Sequence, residues 1–179
     1  MVRPHRPLVE WRRLFLQCGL PTLAVQVTNN PAAARSFAEH WQGELVYAPL
    51  TSSTRYRIAT AEQWSELAQL MEHLPVALLE PYPGTLCYAS VAGSAVIWSP
   101  APPLSSAERT ALEVGLQRLR RVLHLELVQV ELLVGDGDVR CVGLQLFPQF
   151  AVHSLEEQSA LGEAIVAMLT DISQREVQA

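Results

Sequence analysis

The chain has 179 residues and a formal net charge of −5, and this length suits one domain or two tightly packed subdomains. It has no basic patch and no interleaved run of arginine and aromatic residues, which argues against nucleic acid as a partner. Its apolar runs are too short to cross a bilayer, and residues 1–15 lack the apolar core and cleavage site of a signal peptide. We therefore expect a cytoplasmic protein that contacts neither membrane nor nucleic acid.

Helices and strands alternate through the first half. Asn30 is a typical N-cap, and Pro31 suits the first helical position after it. Thr60 and Gln63 have the spacing of a capping box, which predicts another helix start. Periodicity and turn residues together predict helices at 7–18, about 31–41 and from 61 to shortly before Pro75, with strands at 22–28, 44–49, about 54–58 and 76–80.

The second half begins with a hairpin signal. Gly93 and Ser94 form a two-residue turn between apolar runs, a pattern that joins antiparallel strands. Ser106 starts a long helix, and Ser154 with Glu157 caps a final one. We predict strands at 86–92 and 94–98, a helix at about 106–123, strands at 125–134 and 139–147 around a turn, and a helix at about 155–172.

This order of elements predicts the fold class. Hairpins mixed with helices favour an α+β fold with antiparallel sheets over a doubly wound parallel sheet. The Pro-Tyr-Pro-Gly segment near residue 83 is the natural break between two subdomains. We therefore expect subdomains at 1–82 and 83–179 that pack as one compact unit.

The composition has one unusual feature: all 13 basic residues are arginine, and lysine does not occur. Arginine is always charged and binds through a planar fork, whereas lysine is a compact point charge and a potential nucleophile. The composition therefore excludes Schiff-base chemistry and phosphate binding by a P-loop lysine. Codon usage would be a sufficient cause, and the exclusions hold whatever the cause.

Cysteine and histidine give no sign of a metal or catalytic centre. Cys18, Cys87 and Cys141 lie far apart, so reduced thiols are expected and no zinc site is predicted. The five histidines are scattered, and we expect each to lie at the surface or at a helix end. These are His5, His40, His73, His124 and His153.

Four stretches, taken with the order of elements, carry a resemblance to a known family. They resemble the two-lobed core of the ATP-grasp superfamily, in particular the ribosomal-protein glutamate ligases and the cyanobacterial ligases that cross-link ribosomal peptides. The likeness extends over about residues 14–170. The stretches are LQCGLPTLAVQVTNNPAAARSF (16–37), GELVYAPLTSST (43–54), LLEPYPGTLCYASVAGSAVIW (78–98) and LELVQVELLVGDGDVRCVGLQLFPQF (125–150).

The resemblance also shows where this chain departs from the family. Ala48 stands where such ligases carry a nucleotide-contacting lysine, and Tyr88 stands where they carry a basic residue after the linker. Gly143-Leu144-Gln145 replaces the Glu-x-Asn that binds magnesium, whereas Glu131 remains at an earlier acidic position. Acyl-phosphate chemistry needs metal ions and basic side chains to neutralise phosphate. These departures predict a chain without catalytic residues and without a metal site.

The resemblance implies a set of residues at an interlobe cleft. Arg55 and Arg57 are weak candidates for phosphate contact; the alternative is a solvated loop. The other polar residues form either an altered ligand site or a relic of one. These cleft candidates are Glu80, Tyr82, Tyr88, Glu131 and Gln145.

Three hypotheses for function follow. The first is a non-catalytic ATP-grasp-like protein that acts as a binding, scaffold or regulatory subunit, with no cofactor. The second is a divergent ATP-dependent carboxylate-amine ligase using ATP and magnesium through Arg55, Arg57 and Glu131. The third is an unrelated α+β protein-interaction domain.

The expected partner is protein. Intact ligases of this superfamily have a preceding N-terminal domain, and the chain is expected to lack it, which would leave a docking surface exposed. Charged residues make up 17% of the chain, against about 25% in average soluble proteins. We therefore expect a homodimer or a partner protein to cover an apolar surface.

Overall fold

The computed structural model describes residues 8–50, 54–135 and 137–178, and side-chain exposure for 11–50, 54–135 and 137–174. By their contacts the residues group into two compact units, Met1–Arg13 with Leu23–Pro83, and Leu14–Thr22 with Gly84–Ala179. Leu14–Thr22 belongs to the same unit as Gly84–Ala179, so this grouping has more than one boundary along the chain. The division into subdomains 1–82 and 83–179 stays a prediction.

The elements follow the predicted order closely. They are α1 (Leu8–Gln17), β1 (Val25–Thr28), α2 (Pro31–Glu39), β2 (Leu45–Pro49), β3 (Tyr56–Ile58), α3 (Ala61–Met71), β4 (Val76–Leu79), β5 (Thr85–Ala92), β6 (Ala95–Ser99), α4 (Ser106–Leu123), β7 (Leu127–Gly135), β8 (Asp138–Gln145), a 3-10 turn (Phe150–Val152) and α5 (Leu155–Gln178).

The first unit contains an antiparallel sheet in the order β1-β4-β2-β3. Alternate residues of these strands point to one face, where α2 and α3 pack against them. The buried side chains of this core are Ala34, Ala38, Leu45, Ile58, Leu67, Met71, Val76 and Leu78.

Side-chain caps fix where α2 and α3 begin. The Asn30 Oδ1 atom accepts a hydrogen bond from the Ala32 backbone N–H at 2.9 Å. Thr60 and Gln63 form the predicted capping box, in which each side chain accepts from the other residue's backbone N–H. These bonds satisfy donors that have no partner within a helix.

The second unit contains an antiparallel sheet in the order β6-β5-β7-β8. One face carries Ala89 and Trp98, which are opposite each other in the register. The Trp98 indole Nε1 donates to Glu113 Oε1 on α4 at 3.2 Å, so α4 lies on this face. Its inner residues Leu116 and Leu119 are completely buried.

Helix α5 covers part of the opposite face. Its residues Leu161 and Met168 pack against Ala92, Ile97 and Leu127 of the sheet. Strand residues alternate between faces, so the next positions along this face are Ser90 and Gln129, and then Tyr88 and Glu131. The face is therefore apolar under α5 and polar beyond it.

Pro21 and Thr22 pair with the β8 edge of this sheet, although the sequence predicts Thr22 as the first residue of strand 22–28. Thr22 forms an isolated parallel bridge with Cys141, and the Cys141 N–H donates to the Pro21 carbonyl at 2.8 Å. Strand β1 therefore begins at Val25 and not at Thr22. The contact joins residues 119 positions apart, which no local pattern specifies.

The fold-class prediction is confirmed: the described chain is α+β, with two antiparallel four-stranded sheets. Among the described helices, none combines the length and apolarity that a bilayer-spanning segment requires.

Candidate functional site

Three of the predicted site residues lie together on the sheet of the second unit. Tyr88 and Glu131 are direct cross-strand partners on β5 and β7. Gln145 on β8 reaches the same carboxylate, because its Nε2 donates to Glu131 Oε1 at 2.8 Å. All three side chains are half-buried, so they form one polar row beyond the part of the face that α5 covers.

Gly143 provides the space that Glu131 occupies. It is the register partner of Glu131, and a Cβ atom at residue 143 would overlap the Glu131 carboxylate. The ladder shifts by one residue between Glu131 and Leu132, and bulges of this kind redirect side chains on a sheet. The glycine and the bulge together set the position of the carboxylate.

Tyr88 is a neutral hydrogen-bonding group. Burial raises the pKa of its phenol, and the negative charge of Glu131 raises it further, since both disfavour the phenolate. Tyr88 is therefore protonated at neutral pH and supplies an O–H group, not a charge.

The donor set does not fit magnesium. Mg²⁺ prefers octahedral oxygen ligation with carboxylates and retained waters. The row offers one carboxylate and one amide, and the amide nitrogen of Gln145 already binds that carboxylate. Across the part of the chain that the structure describes, no group of three His, Cys, Asp or Glu residues is placed to hold a metal ion.

Glu80 has a structural role in the first unit. Its Oε2 accepts from the Ala24 backbone N–H at 2.8 Å, and its own N–H donates to the Ala24 carbonyl at 3.0 Å. These two bonds continue the pairing of β1 with β4 beyond the strand ends. That Glu80 and Tyr82 share a cleft with Tyr88, Glu131 and Gln145 stays a prediction.

A cavity of about 480 Å³ lies in the first unit beside the segment that follows β4. Tyr82 and Arg57 both line it. The Arg57 Nη2 donates to Glu44 Oε2 at 2.5 Å, in an exposed ion pair, so an acidic partner already offsets its charge. Arg55 is half-buried just before β3. The other lining residues are His40, Trp41, Gln42, Glu44, Val46, Pro81 and Pro83.

Sequence reasoning missed a second polar cluster, formed by Ser90, Gln129 and His153. Their side chains are buried on the face that carries the Tyr88 row. His153 lies at a helix end, as the residue that follows the 3-10 turn, but its ring is buried because the segment before α5 folds onto the sheet. The alternation in LVQVE places Gln129 on the same face as Glu131, which is the one local signal of this cluster.

Together the two sheets and their helices define an ATP-grasp-like core, and solved structures show what it is similar to. No protein-family model and no curated protein sequence matches the chain. Over 88% of this chain and 57% of the other, it matches the ATP-grasp ligase PsnB complexed with precursor peptide PsnA2 and AMPPNP, with a TM-score of 0.69 and 19% identity.

Two further structures agree with this fold. The macrocyclase MdnC bound with precursor peptide MdnA, from Microcystis aeruginosa MRC, gives a TM-score of 0.70 at 16% identity over 92% of this chain and 61% of that one. A RimK domain protein ATP-grasp from Sphaerobacter thermophilus DSM 20745 gives 0.68 at 17% identity over 94% and 67%. Such identities show the fold alone. The chain spans less than two thirds of the length of PsnB and MdnC.

Proposed function

We propose that this chain is a non-catalytic protein with an ATP-grasp-like core, which binds a peptide or protein segment as a scaffold or regulatory subunit. The observation that carries the proposal is the engagement of the Glu131 carboxylate by the Gln145 amide, beside Tyr88. The resemblance expects a basic residue at Tyr88 and a magnesium-binding Glu-x-Asn at Gly143-Leu144-Gln145, and of the expected charged groups this row keeps only Glu131.

Electrostatics supports the non-catalytic part. Phosphoryl transfer to a carboxylate concentrates negative charge, which magnesium ions and basic side chains must neutralise. Losing one well-placed electrostatic group costs about 10²–10³ in rate. The family resemblance expects three such groups at the positions of Ala48, Tyr88 and Gly143, and the chain contains no lysine.

The β6 edge supports a peptide as the partner. Within the described part of the second unit, no hydrogen bond from another segment reaches the outer backbone of Val96 or Trp98, whereas the β8 edge is covered. Strand β6 carries no charged residue, and its residues Ala95, Val96 and Ile97 are half-buried. An apolar edge strand with free backbone groups is a template for pairing with another strand. An extended segment adding to β6 would gain main-chain hydrogen bonds.

A cavity of about 350 Å³ adjoins this edge and suits one side chain of such a segment. Val96 on β6 and Val114 on α4 give it an apolar wall. Main-chain pairing supplies affinity and a side-chain pocket supplies specificity in this mode of recognition. The remaining lining residues are Ser94, Thr110, Glu113, Gln117 and Arg121.

The peptide-binding part is tested with a peptide library displayed on phage and selected on the purified protein. Val114→Asp places a charge in the cavity and is expected to weaken selected peptides at least tenfold. Val122→Asp is the matched control, because Val122 is also an exposed valine of α4 and does not line the cavity. Selected peptides that bind both variants equally would disprove this surface.

The non-catalytic part is tested by calorimetric titration with ATP and magnesium. We expect no binding at millimolar nucleotide. Magnesium-dependent binding that disappears in Glu131→Ala, together with ATP hydrolysis coupled to amide formation, would overturn it. The second candidate, a divergent ligase, predicts that outcome, and it is favoured only by the cavity beside Tyr82 and Arg57.

The ATP-grasp-like fold argues against the third hypothesis, an α+β interaction domain unrelated to ATP-grasp proteins. We also propose a cytoplasmic location, which is supported by three free, buried cysteines. Whether the partner is a second copy of the chain or another protein is part of the proposal, and the selected peptide sequences would distinguish them by matching or not matching the chain itself.

A further inference from the structure

Ser90, Gln129 and His153 form a closed hydrogen-bonded cluster inside the second unit. Ser90 and Gln129 are 0% exposed and His153 is 5% exposed. The Ser90 Oγ lies 3.0 Å from His153 Nε2, and the Gln129 Nε2 lies 3.2 Å from the same ring nitrogen. Most buried polar groups are hydrogen-bonded, so the contacts at the His153 Nε2 atom indicate the proton positions in the cluster.

The backbone of the segment before α5 fixes those proton positions. The Gln149 N–H donates to Gln129 Oε1 at 3.1 Å, which assigns oxygen and nitrogen in that amide. The Gln129 Nε2 then donates to Ser90 Oγ at 3.0 Å, so the Ser90 hydroxyl hydrogen is directed to His153. The His153 Nε2 is therefore an acceptor, and the neutral ring carries its proton on Nδ1, which is buried and has no hydrogen-bond partner among the described residues.

The same segment is held to the unit mainly by polar contacts. The Gln158 Nε2 donates to the His153 carbonyl at 2.9 Å, and the Ser99 Oγ, whose hydrogen is directed to Glu157, lies 2.9 Å from the Val152 carbonyl. Its two phenylalanine side chains are exposed, Phe147 at 82% and Phe150 at 43%. Leu146 and Val152 are half-buried, so the segment is retained by these two side chains together with the polar contacts.

We propose that residues 146–154 form a pH-sensitive latch, closed while His153 is neutral and released when His153 takes up a proton. A proton on Nε2 would face the Ser90 hydroxyl and the Gln129 amide, both of which donate to that nitrogen in the closed state. The cluster would lose its acceptor, and a buried donor left without an acceptor is strongly unfavourable. The segment follows Gln145 directly, so release would change the surroundings of the Tyr88 row.

One charged group is near the ring among the described residues that pack against it. Strands β5, β6 and β7 present Ser90, Ser99 and Gln129, which are neutral, and α5 presents Glu157. Glu157 raises the pKa of His153, but the larger effect of burial lowers it below the usual value. Ser99 holds the Glu157 carboxylate with a hydrogen bond of 2.6 Å, and the pKa of Glu157 is lowered.

The pH dependence of closure follows from the lowered pKa of His153 in the closed state. The released segment has a histidine with a pKa of about 6.5, and the closed segment has a lower one. The released state therefore binds more protons, so closure is complete above about pH 6.5 and weakens as the pH falls towards the lower pKa. In that window the closing equilibrium falls up to about tenfold for each pH unit.

Hydrogen exchange tests the latch through the Gln149 amide, whose hydrogen bond to Gln129 exists only in the closed state. We expect its protection, corrected for intrinsic exchange, to fall about tenfold per pH unit below pH 6.5. The Gly93 amide, which donates to Glu126 in the same unit, is the internal reference and is expected to keep its protection.

His153→Gln keeps an acceptor in the cluster but removes the titration, so Gln149 protection is expected to become independent of pH. His73→Gln, at an exposed histidine of the first unit, is the matched control and is expected to behave as the wild type. Wild-type protection that does not change with pH, or an unchanged pH dependence in His153→Gln, would overturn the latch.

A direct measurement on the wild type keeps the proposal testable if the variant does not fold. Nitrogen-15 NMR of the histidine ring distinguishes the two tautomers. We expect a proton on Nδ1 of His153 at pH 7.5. A proton on Nε2 would disprove the assigned hydrogen-bond directions and the latch with them.

Discussion

At the scale of single residues, the absence of a side chain at Gly143 has the largest structural consequence. The Glu131 carboxylate occupies the volume where a side chain at residue 143 would begin. The two positions are therefore coupled: a glycine permits this carboxylate position, and any larger residue requires the carboxylate to move. Coupling of this kind appears as a departure from additivity between two substitutions.

Gly143→Ala is expected to lower the free energy of unfolding by about 1–3 kcal/mol, because the added Cβ overlaps Glu131. In the Glu131→Ala background the same substitution should cost much less, since the overlapping atoms are gone. Chemical denaturation of the four proteins measures this coupling.

Gly162→Ala is the control for that experiment. Gly162 lies within α5 with open space around its Cα, so alanine there is expected to stabilise the protein by about 1 kcal/mol. Equal effects of Gly143→Ala with and without Glu131 would show that the carboxylate does not depend on the glycine.

The cysteines also allow a prediction at this scale. Cys18, Cys87 and Cys141 are buried and free, and burial raises the pKa of Cys141 to about 12. Since the thiolate is the reactive form, we expect no thiol to react with a disulfide reagent at pH 8 in the native protein. All three should react in denaturant, and fast native labelling would contradict their burial.

At the scale of elements, helix starts were the most predictable feature. Asn30, Thr60 and Gln63 form the expected caps because capping depends on neighbours within three residues of the chain. The same local logic places the turn at Gly93, where φ is 56°. These elements could be derived from sequence because their determinants are local.

The candidate site was only partly predictable because some of its contacts depend on residues far apart in the chain. Tyr88, Glu131 and Gln145 were identified through the family resemblance, and the strand register brings them together. The burial of His153 depends on how a connecting segment folds back onto β5 and β7, and this is a nonlocal property. The Thr22 bridge to Cys141 was missed for the same reason.

A test at the element scale uses the cap of α3. Thr60→Ala removes the side-chain acceptor for the Gln63 N–H and is expected to cost about 1 kcal/mol of unfolding free energy. Thr170→Ala, in the interior of α5, is the control and is expected to change stability little or to raise it slightly. Equal effects of the two substitutions in thermal or chemical denaturation would contradict a specific capping role.

At the scale of the whole molecule, binding should be visible as a change in stability. A ligand at about 100 times its Kd raises the free energy of unfolding by about 2.7 kcal/mol. We expect a phage-selected peptide at that excess to raise the Tm, and millimolar ATP with magnesium to leave it unchanged. A rise with ATP and magnesium that Glu131→Ala abolishes would instead favour the divergent ligase.

The Ser90 and Gln129 pair also has a consequence for how the sheet assembles. These two residues are direct partners among eight consecutive pairs that join β5 to β7, most of them apolar or small. A slip of two residues would keep every side chain on its face but would place Gln129 opposite Ala92 or Tyr88. Each buried polar group left unmatched would cost about 1–3 kcal/mol. The polar pair thus selects one alignment out of several that the apolar pattern alone would tolerate.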